Sequence, residues 1–474
     1  MRLYNDVFNE ERHTSSNSLA NALLTKPSLL SSTITFLSGK QQNIGTLPLT
    51  LMTEGVGNVE TIDDFFYEYP VMDSFDKTCS VIEGPTTGTP GIGRQFFFLT
   101  YPDRWFQAGY TIVSQSGIYA TIHGEPEQVS TGFKYKLRIL HSNPNMYMPL
   151  ADCVNGARFA SMYRLVGVDF SKGSTSSWVS PSRVRHAVAT LRKGYAMSGN
   201  AAVQKVTSME LMTDQGKIDL WSDFEEWQHM MKWREECENY YTYGVQTYDE
   251  SGVVQLKDEN GQPLLAGPGL LEQIPNKDTY TYLTENKIKN TVRNLWYGMS
   301  DGDNRVVTLM TGTGGRDEFD RAMKGSLVAD GFRQFNDKLF VSGSGKNLQL
   351  SGFFSSYQHV DGHVVNVIYN PAFDRSGVAR ASRRHHKTQL PLESYRMVFL
   401  DTSSYDGQSN LVMVQKRNRE MLRWAVAGST IPKGFKGNDT RANDVDGASV
   451  HFLKVGGICL RRFTTSLDLT CVAE

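Results

Sequence analysis

The chain has 474 residues with 49 Lys plus Arg against 50 Asp plus Glu, a formal net charge of -1. That balance excludes a protein whose main task is coating nucleic acid by general basicity. A hydrophobic content of 39% with 11% aromatics excludes a mostly disordered chain, and the length allows two or three compact units.

The first residues, MRLYNDVFNEERHTSSNS, contain no apolar h-region, and no apolar run approaches the ~20 residues of a membrane span. A soluble protein without a cleaved secretion signal is expected. Five cysteines (Cys79, Cys153, Cys237, Cys459, Cys471) form no CxxC pair and read as the reduced thiols of a cytosolic folding environment. Residues 1 to 60 are polar, with short apolar clusters at Leu19 to Leu24 and Leu47 to Met52. Such a segment is either a loose tail or is ordered by lying along something else, another copy of the chain included. Compact structure is expected to begin with Thr61 to Met72.

Residues 79 to 140 read as a β ribbon. Gly84 to Gly93 is turn material, followed by the strand-like runs RQFFFLTY, GYTIV and IYATIHG. Phe133, Tyr135, Leu137 and Ile139 alternate with Lys134, Lys136 and Arg138, and period two puts the three cations on one face. The plain explanation is an edge strand protected by charge. Pro149 to Leu165 predicts a helix with Leu150, Val154, Phe159, Tyr163 and Leu165 inward, ending near Gly167. A Ser and Gly loop follows, and Val184 to Met212 reads as strands.

Asp219 to Gly244 carries the strongest helical pattern. Leu220, Phe224, Trp227 and Met231 share one face, continued by Met230, Trp233, Cys237, Tyr240 and Tyr241. Ser222 and Glu225 fit a capping box, and Gly244 stands where a left-handed terminating residue is expected. The outward side carries Glu225, Glu226, Glu235, Glu236 and Glu238 against Lys232 and Arg234. Such a helix can pack on a sheet and attract a basic partner; the bland alternative is a solvated surface helix.

Beyond Gly244 the pattern is mixed α and β to about Pro432. A polar hairpin is expected around Asn260 and Gly261, and Thr284 is placed to cap a helix with Ile288, Val292, Leu295 and Trp296 on one face. Strands are expected at Val306 to Met310, Val364 to Tyr369, Met397 to Leu400 and Leu411 to Val414, with a helix beginning near Arg316. Ala448 to Cys471 returns to strand.

Candidate chemistry is sparse. The glycine-rich turn Gly312 to Gly315 between a strand and a helix has the outline of a phosphate cradle but lacks GxxxxGK[ST]. Asp317 stands where GxGxxG needs its third glycine, and Asp317 and Glu318 at the helix start repel phosphate. His385 and His386 lie among Arg380, Arg383, Arg384 and Lys387, which repel a metal cation. A solvated basic loop, or a contact of Arg383 and Arg384 with an acidic surface on another chain, fits better. Asp301, Asp303 and Asn304 resemble the opening of a calcium loop, but Arg305 stands where an oxygen ligand is wanted. No HExxH or GxSxG occurs, so no catalytic, cofactor-binding or metal residue is assigned, no cofactor is expected, and the residue chemistry favours a binding or structural protein.

The order of elements, a polar arm, a β ribbon, a long helix, a mixed domain and a final return to strand, resembles the major capsid proteins of tailed bacteriophages. RLYNDVFNEERHT, LMTGTGGRDEFDRAMK, VVNVIYNPAFD and AGSTIPKGF are similar to those of crAss-like phages in particular, and the likeness runs over most of the chain. The resemblance implies an α+β chain with the Hong Kong 97-like capsid fold. It places an N-terminal arm at 1–60, an extended β-hairpin E-loop at 79–140 and a peripheral domain at 61–78 and 141–244 with its spine helix at 219–243. An axial domain at 245–432 and a return to the peripheral domain at 433–474 complete the division.

The implied function is self-assembly as hexamers and pentamers into an icosahedral virion shell around double-stranded DNA, in the host bacterial cytoplasm. Implied partners are copies of itself, a separate scaffolding protein, portal and auxiliary capsid proteins, and packaged DNA without sequence-specific contact. No membrane partner is implied. Arm and ribbon are then expected to bury their apolar faces against neighbouring copies. Lys134, Lys136 and Arg138 of one copy are expected to face Glu225, Glu226, Glu235, Glu236 and Glu238 of another, at ~0.2 to 1 kcal/mol per exposed pair. The rival readings are an accessory tail or decoration protein and an enzyme holding a nucleotide at Gly312 to Gly315.

Overall fold

A computed structural model describes residues 12–13, 47–72, 77–166, 168–169, 180–200, 211–213, 216–218, 221–297, 306–329, 356–358, 364–405, 407–431 and 443–472, with side chains of 12–13, 211–213, 216–218, 221–227, 324–329, 356–358 and 405 excepted. The chain divides into two compact units, Met1–Tyr67 with His186–Glu474, and Glu68–Arg185. It leaves the first through Phe66–Val71 and returns through Ser182–Ala187, and these two strands pair with each other. The α+β class expected from the sequence is what the described elements show.

In the larger unit, the strand Gly447–Leu460 organises one sheet. It runs antiparallel to Ala189–Ser198 on one side and to Leu411–Lys416 and Leu422–Ala427 on the other. The long helix Trp221–Tyr243 lies on this sheet, with Trp233, Cys237 and Tyr241 buried at i, i+4 and i+8, as the helical spacing predicts. Trp233 stacks on Phe452 at 5.7 Å. Gly244 follows the helix, but its φ is not left-handed. Its reason is close approach: a Cβ there would meet the Tyr240 carbonyl oxygen at 2.6 Å and the Tyr240 ring at 2.8 Å.

The described parts of residues 1–60 lie on this same sheet. Arg12–His13 runs parallel to Ala196 and Met197, and Val59–Ile62 runs parallel to Met413–Lys416. To that extent the arm pairs with its own chain. A second sheet has the order Asn276–Tyr280, Leu467–Cys471, Met397–Asp401, Val306–Thr311, Val364–Tyr369 and Ser356–Gln358. Thr284 caps the helix Glu285–Leu295, its hydroxyl accepting from Lys287 N at 3.3 Å, and Ile288, Val292 and Leu295 face the core. The polar hairpin after Gly244 is reduced to isolated bridges, Tyr248 with Val254 and Lys257 with Pro263.

The unit Glu68–Arg185 departs from the expected open ribbon. Its sheet order is Cys79–Ser80, Arg158–Arg164, Tyr110–Ser114, Tyr119–Ile122, Gly132–Ile139 and Phe96–Tyr101, with Glu127–Val129 also on Gly132–Ile139. The two ends meet, because Glu83, just past the first strand, bridges to Thr100 on the last. Closure gives an interior, which Leu99, Tyr101, Phe106, Tyr135, Leu137 and Phe159 fill. Tyr101 contacts Phe106, Tyr135 and Phe159 edge-on, with ring centroids 5.2 to 5.9 Å apart. This segment therefore buries its own apolar face. The helix expected over Pro149 to Leu165 is also absent. A short 3-10 turn at Leu150–Asp152 and Gly156 at φ 91 precede the strand Arg158–Arg164, which pairs with Tyr110–Ser114. Phe159 is inward while Tyr163 and Leu165 are exposed, the result of pairing rather than helical periodicity.

Candidate interaction surfaces

The strand Gly132–Ile139 alternates as read, with Tyr135, Leu137 and Ile139 buried and Lys134, Lys136 and Arg138 on the outer face. It is not an edge strand. Phe96–Tyr101 pairs along one side, and Tyr119–Ile122 and Glu127–Val129 along the other. Edge protection therefore does not explain the charge.

Register puts Phe96 opposite Arg138 and Phe98 opposite Lys136. These two rings are 43% and 41% exposed, although Phe97 between them is buried. Lys136 Nζ lies 4.1 Å from the Phe96 centroid, Lys134 Nζ 4.8 Å from Phe98, and the Arg138 guanidinium 5.7 Å from Phe96. An exposed cation over a ring is worth about 0.5–1 kcal/mol, enough to hold long side chains in place. His123 packs edge-on against Phe96 at 5.1 Å; partial burial, then Arg138 and Lys136, lower its pKa. None of the three cations forms an ion pair with a described residue of its own chain. Phe96 and Phe98 are the surface residues that sequence reasoning passed over; their period-two position beside Phe97 was the available signal.

On the acidic side of the long helix, two of the three carboxylates with described side chains, Glu236 and Glu238, are engaged within the chain. Glu238 is 2% exposed, so it is not an outward carboxylate. Its Oε1 accepts from Leu49 N at 2.7 Å, and its Oε2 accepts from Thr50 N at 3.1 Å and Thr50 Oγ1 at 2.7 Å. It thus supplies the acceptor that the start of the short helix Pro48–Thr53 lacks. Burial pushes its carboxyl above the ordinary range, against those hydrogen bonds and Lys454. Glu236 pairs with Lys193 at 2.6 Å, and Glu235 is half-buried. The side chains of Glu225 and Glu226, and of the Ser222 capping box, lie outside the described residues. Nearby, the buried Lys454 pairs with Glu54, which also accepts from Gln415 Nε2 at 2.8 Å.

At the glycine turn, the helix Thr313–Ala329 starts three residues before Arg316, so Asp317 and Glu318 are not its first turn. The anionic group at its start is Asp374, whose Oδ2 accepts from Thr313 N at 3.1 Å and from Thr313 Oγ1 at 2.7 Å. Gly314 N donates to Ser394 Oγ at 2.8 Å. A Cβ on Gly315 would meet Thr311 Oγ1 at 1.9 Å, and one on Gly314 the Tyr395 ring at 2.6 Å. The glycines serve packing, and a carboxylate of the chain holds the place a phosphate needs.

His385 is buried and stacks on Tyr395 at 4.5 Å, while Arg383 and Arg384 are exposed beside it. Tyr395 leads to the best-connected ion pair. Arg396 donates to both oxygens of the buried Asp468 at 2.8 and 2.9 Å and to Glu393 Oε1 at 2.7 Å, and Tyr243 OH donates to the same Glu393 oxygen at 2.9 Å. Asp301, Asp303 and Asn304 lie outside the described residues. Among the described residues no cluster of three His, Cys, Asp or Glu could hold a metal, and no helix is long and apolar enough to cross a membrane. All five cysteines are free and buried.

The chain is 22% identical over 423 residues to the major capsid protein of Bacteroides phage crAss001, covering 84% of this chain and 82% of that one. Among solved structures it is similar to Mycobacterium phage Ogopogo (9% identity, 96% of this chain and 100% of that chain, TM-score 0.38). It is also similar to the capsid of an empty GTA particle (10% identity, 97% and 99%, TM-score 0.35). The family model of the Crassvirus major capsid protein matches residues 10–474. The chain belongs to that family.

Proposed function

We propose that this major capsid protein builds an icosahedral shell around double-stranded DNA from hexamers and pentamers of itself, in the Hong Kong 97-like arrangement. Family membership over residues 10–474 carries the reading. A solvent-facing cation and phenylalanine surface whose three cations, with Glu127 alone opposite Lys134, form no ion pair among the described residues supports it. In this reading the unit Glu68–Arg185 occupies the E-loop position, Trp221–Tyr243 is the spine helix and the second sheet belongs to the axial domain. Lys134, Lys136, Arg138, Arg383 and Arg384 are contact residues between copies, with Glu235 and Glu236 as lesser contributors. The role is structural and not enzymatic: the turn that resembled a nucleotide site is filled by Asp374.

Assembly takes place in the host bacterial cytoplasm with a separate scaffolding protein, portal and auxiliary proteins join the shell, and DNA is enclosed without sequence-specific contact. Electron microscopy of the chain expressed with its phage's scaffold tests this. Closed polyhedral shells are expected; monomers or tubes contradict it and favour an accessory virion role.

A further inference from the structure

The face formed by Lys134, Lys136 and Arg138 carries three cations with one carboxylate, Glu127, opposite Lys134, and on the long helix Glu236 and Glu238 are taken up within the chain. An acidic segment elsewhere does. From Asp249 to Pro263 the chain forms a loop, flanked by Tyr248 and held together by isolated bridges and by two turns in succession. Asp249 Oδ1 accepts from Val253 N at 2.9 Å, and Asp258 Oδ1 accepts from Asn260 N at 2.9 Å and Gln262 N at 2.7 Å. Those two carboxylates shape the loop. The other two, Glu250 and Glu259, are exposed and bond to no described residue. Val253 and Leu256 are 56% and 57% exposed beside them.

We infer that this loop of one copy docks on the outer sheet face of the Glu68–Arg185 unit of another copy. Glu250 and Glu259 meet Lys134, Lys136 and Arg138, while Val253 and Leu256 cover Phe96 and Phe98. Charge complementarity carries the assignment: four carboxylates against the single Lys257 in the loop, and three cations without an internal ion pair on the sheet. The exposed aliphatics match a surface whose rings are already fixed by the cations above them. Period-two spacing sets successive cations ~6.6 Å apart on a rigid strand, so the anion row is read in register. This inference rests on the shell reading.

The test is a charge swap in the full chain expressed with scaffold, scored by particle yield. Glu250→Lys with Glu259→Lys, and separately Lys134→Glu with Lys136→Glu, should each lower yield by about tenfold or more, because symmetry repeats the lost contact around the shell. The four changes together should recover most of the wild-type yield. Loss in the single-side variants without recovery, or unchanged yield in the loop variant, overturns the docking. Absence of shells from the wild-type chain fails the shell reading itself. A variant pair keeps the test independent of yield: Glu250→Cys with Lys136→Cys should give disulfide-linked ladders from assembled shells. The native cysteines are all buried and give no such background. Shells that stay monomeric on a non-reducing gel also overturn it.

Discussion

The long helix and the closed β unit both display a row of charge that the sequence makes conspicuous, yet the two rows have opposite fates. On the helix, Glu238 is buried against Leu49 and Thr50, and Glu236 is paired with Lys193. On the β unit, Lys134, Lys136 and Arg138 lie over exposed rings and form no ion pair with a described residue, although Glu127 stands opposite Lys134 in the sheet. Charge patterning reports which face a residue is on only where the rest of the chain leaves that face open. A segment distant in sequence decided the matter for the helix, and closure of the sheet decided it for the strand.

Removing internal counter-charges should therefore cost stability, and removing surface cations should not. Asp468→Ala leaves the half-buried Arg396 with only Glu393 as partner, and thermal or urea unfolding should show a loss of about 2–3 kcal/mol. Glu238→Ala leaves Leu49 N and Thr50 N without their acceptor and should cost about 2–3 kcal/mol, with fraying confined to Pro48–Thr53 in hydrogen exchange. A cost below that of a surface substitution would break the comparison.

A pH dependence comes next in size. His186, packed against Tyr67 at 5.8 Å, has its pKa lowered by burial to about 4. The folded chain thus prefers the neutral ring, and below the ordinary value of about 6.5 the unfolded chain binds the extra proton. Stability is complete above about pH 6.5 and falls by about 2–3 kcal/mol as pH drops toward 4. Unfolding midpoints of His186→Gln should show a flatter slope in that window; an identical slope contradicts the assignment. Smallest of all, Glu236→Ala breaks only the exposed pair with Lys193 and should change stability by less than about 1 kcal/mol.

Much of the fold was legible because local period and tertiary burial agree. Trp233, Cys237 and Tyr241 follow helical spacing, Thr284 caps its helix, and the strands at Val306–Thr311 and Val364–Tyr369 are continuous apolar runs of the kind a covered sheet requires. Pro149 to Leu165 failed because Phe159 fits either period, and only pairing with Tyr110–Ser114 selects the strand. Closure of the β unit was invisible for the same reason, since the bridge from Glu83 to Thr100 has no local signature. Of the candidate surface, the three cations were readable by alternation. The withdrawal of Glu238 was not, because its partners lie 188 and 189 residues away.

The central claim is that the cations of the β unit find their counter-charge on another copy. Its most direct measurement pairs the unfolding midpoint of the dissociated subunit with particle yield for the chain carrying Lys134→Glu, Lys136→Glu and Arg138→Glu. We predict a midpoint within about 1 kcal/mol of wild type and a large loss of particles. Unchanged particle yield would contradict the account.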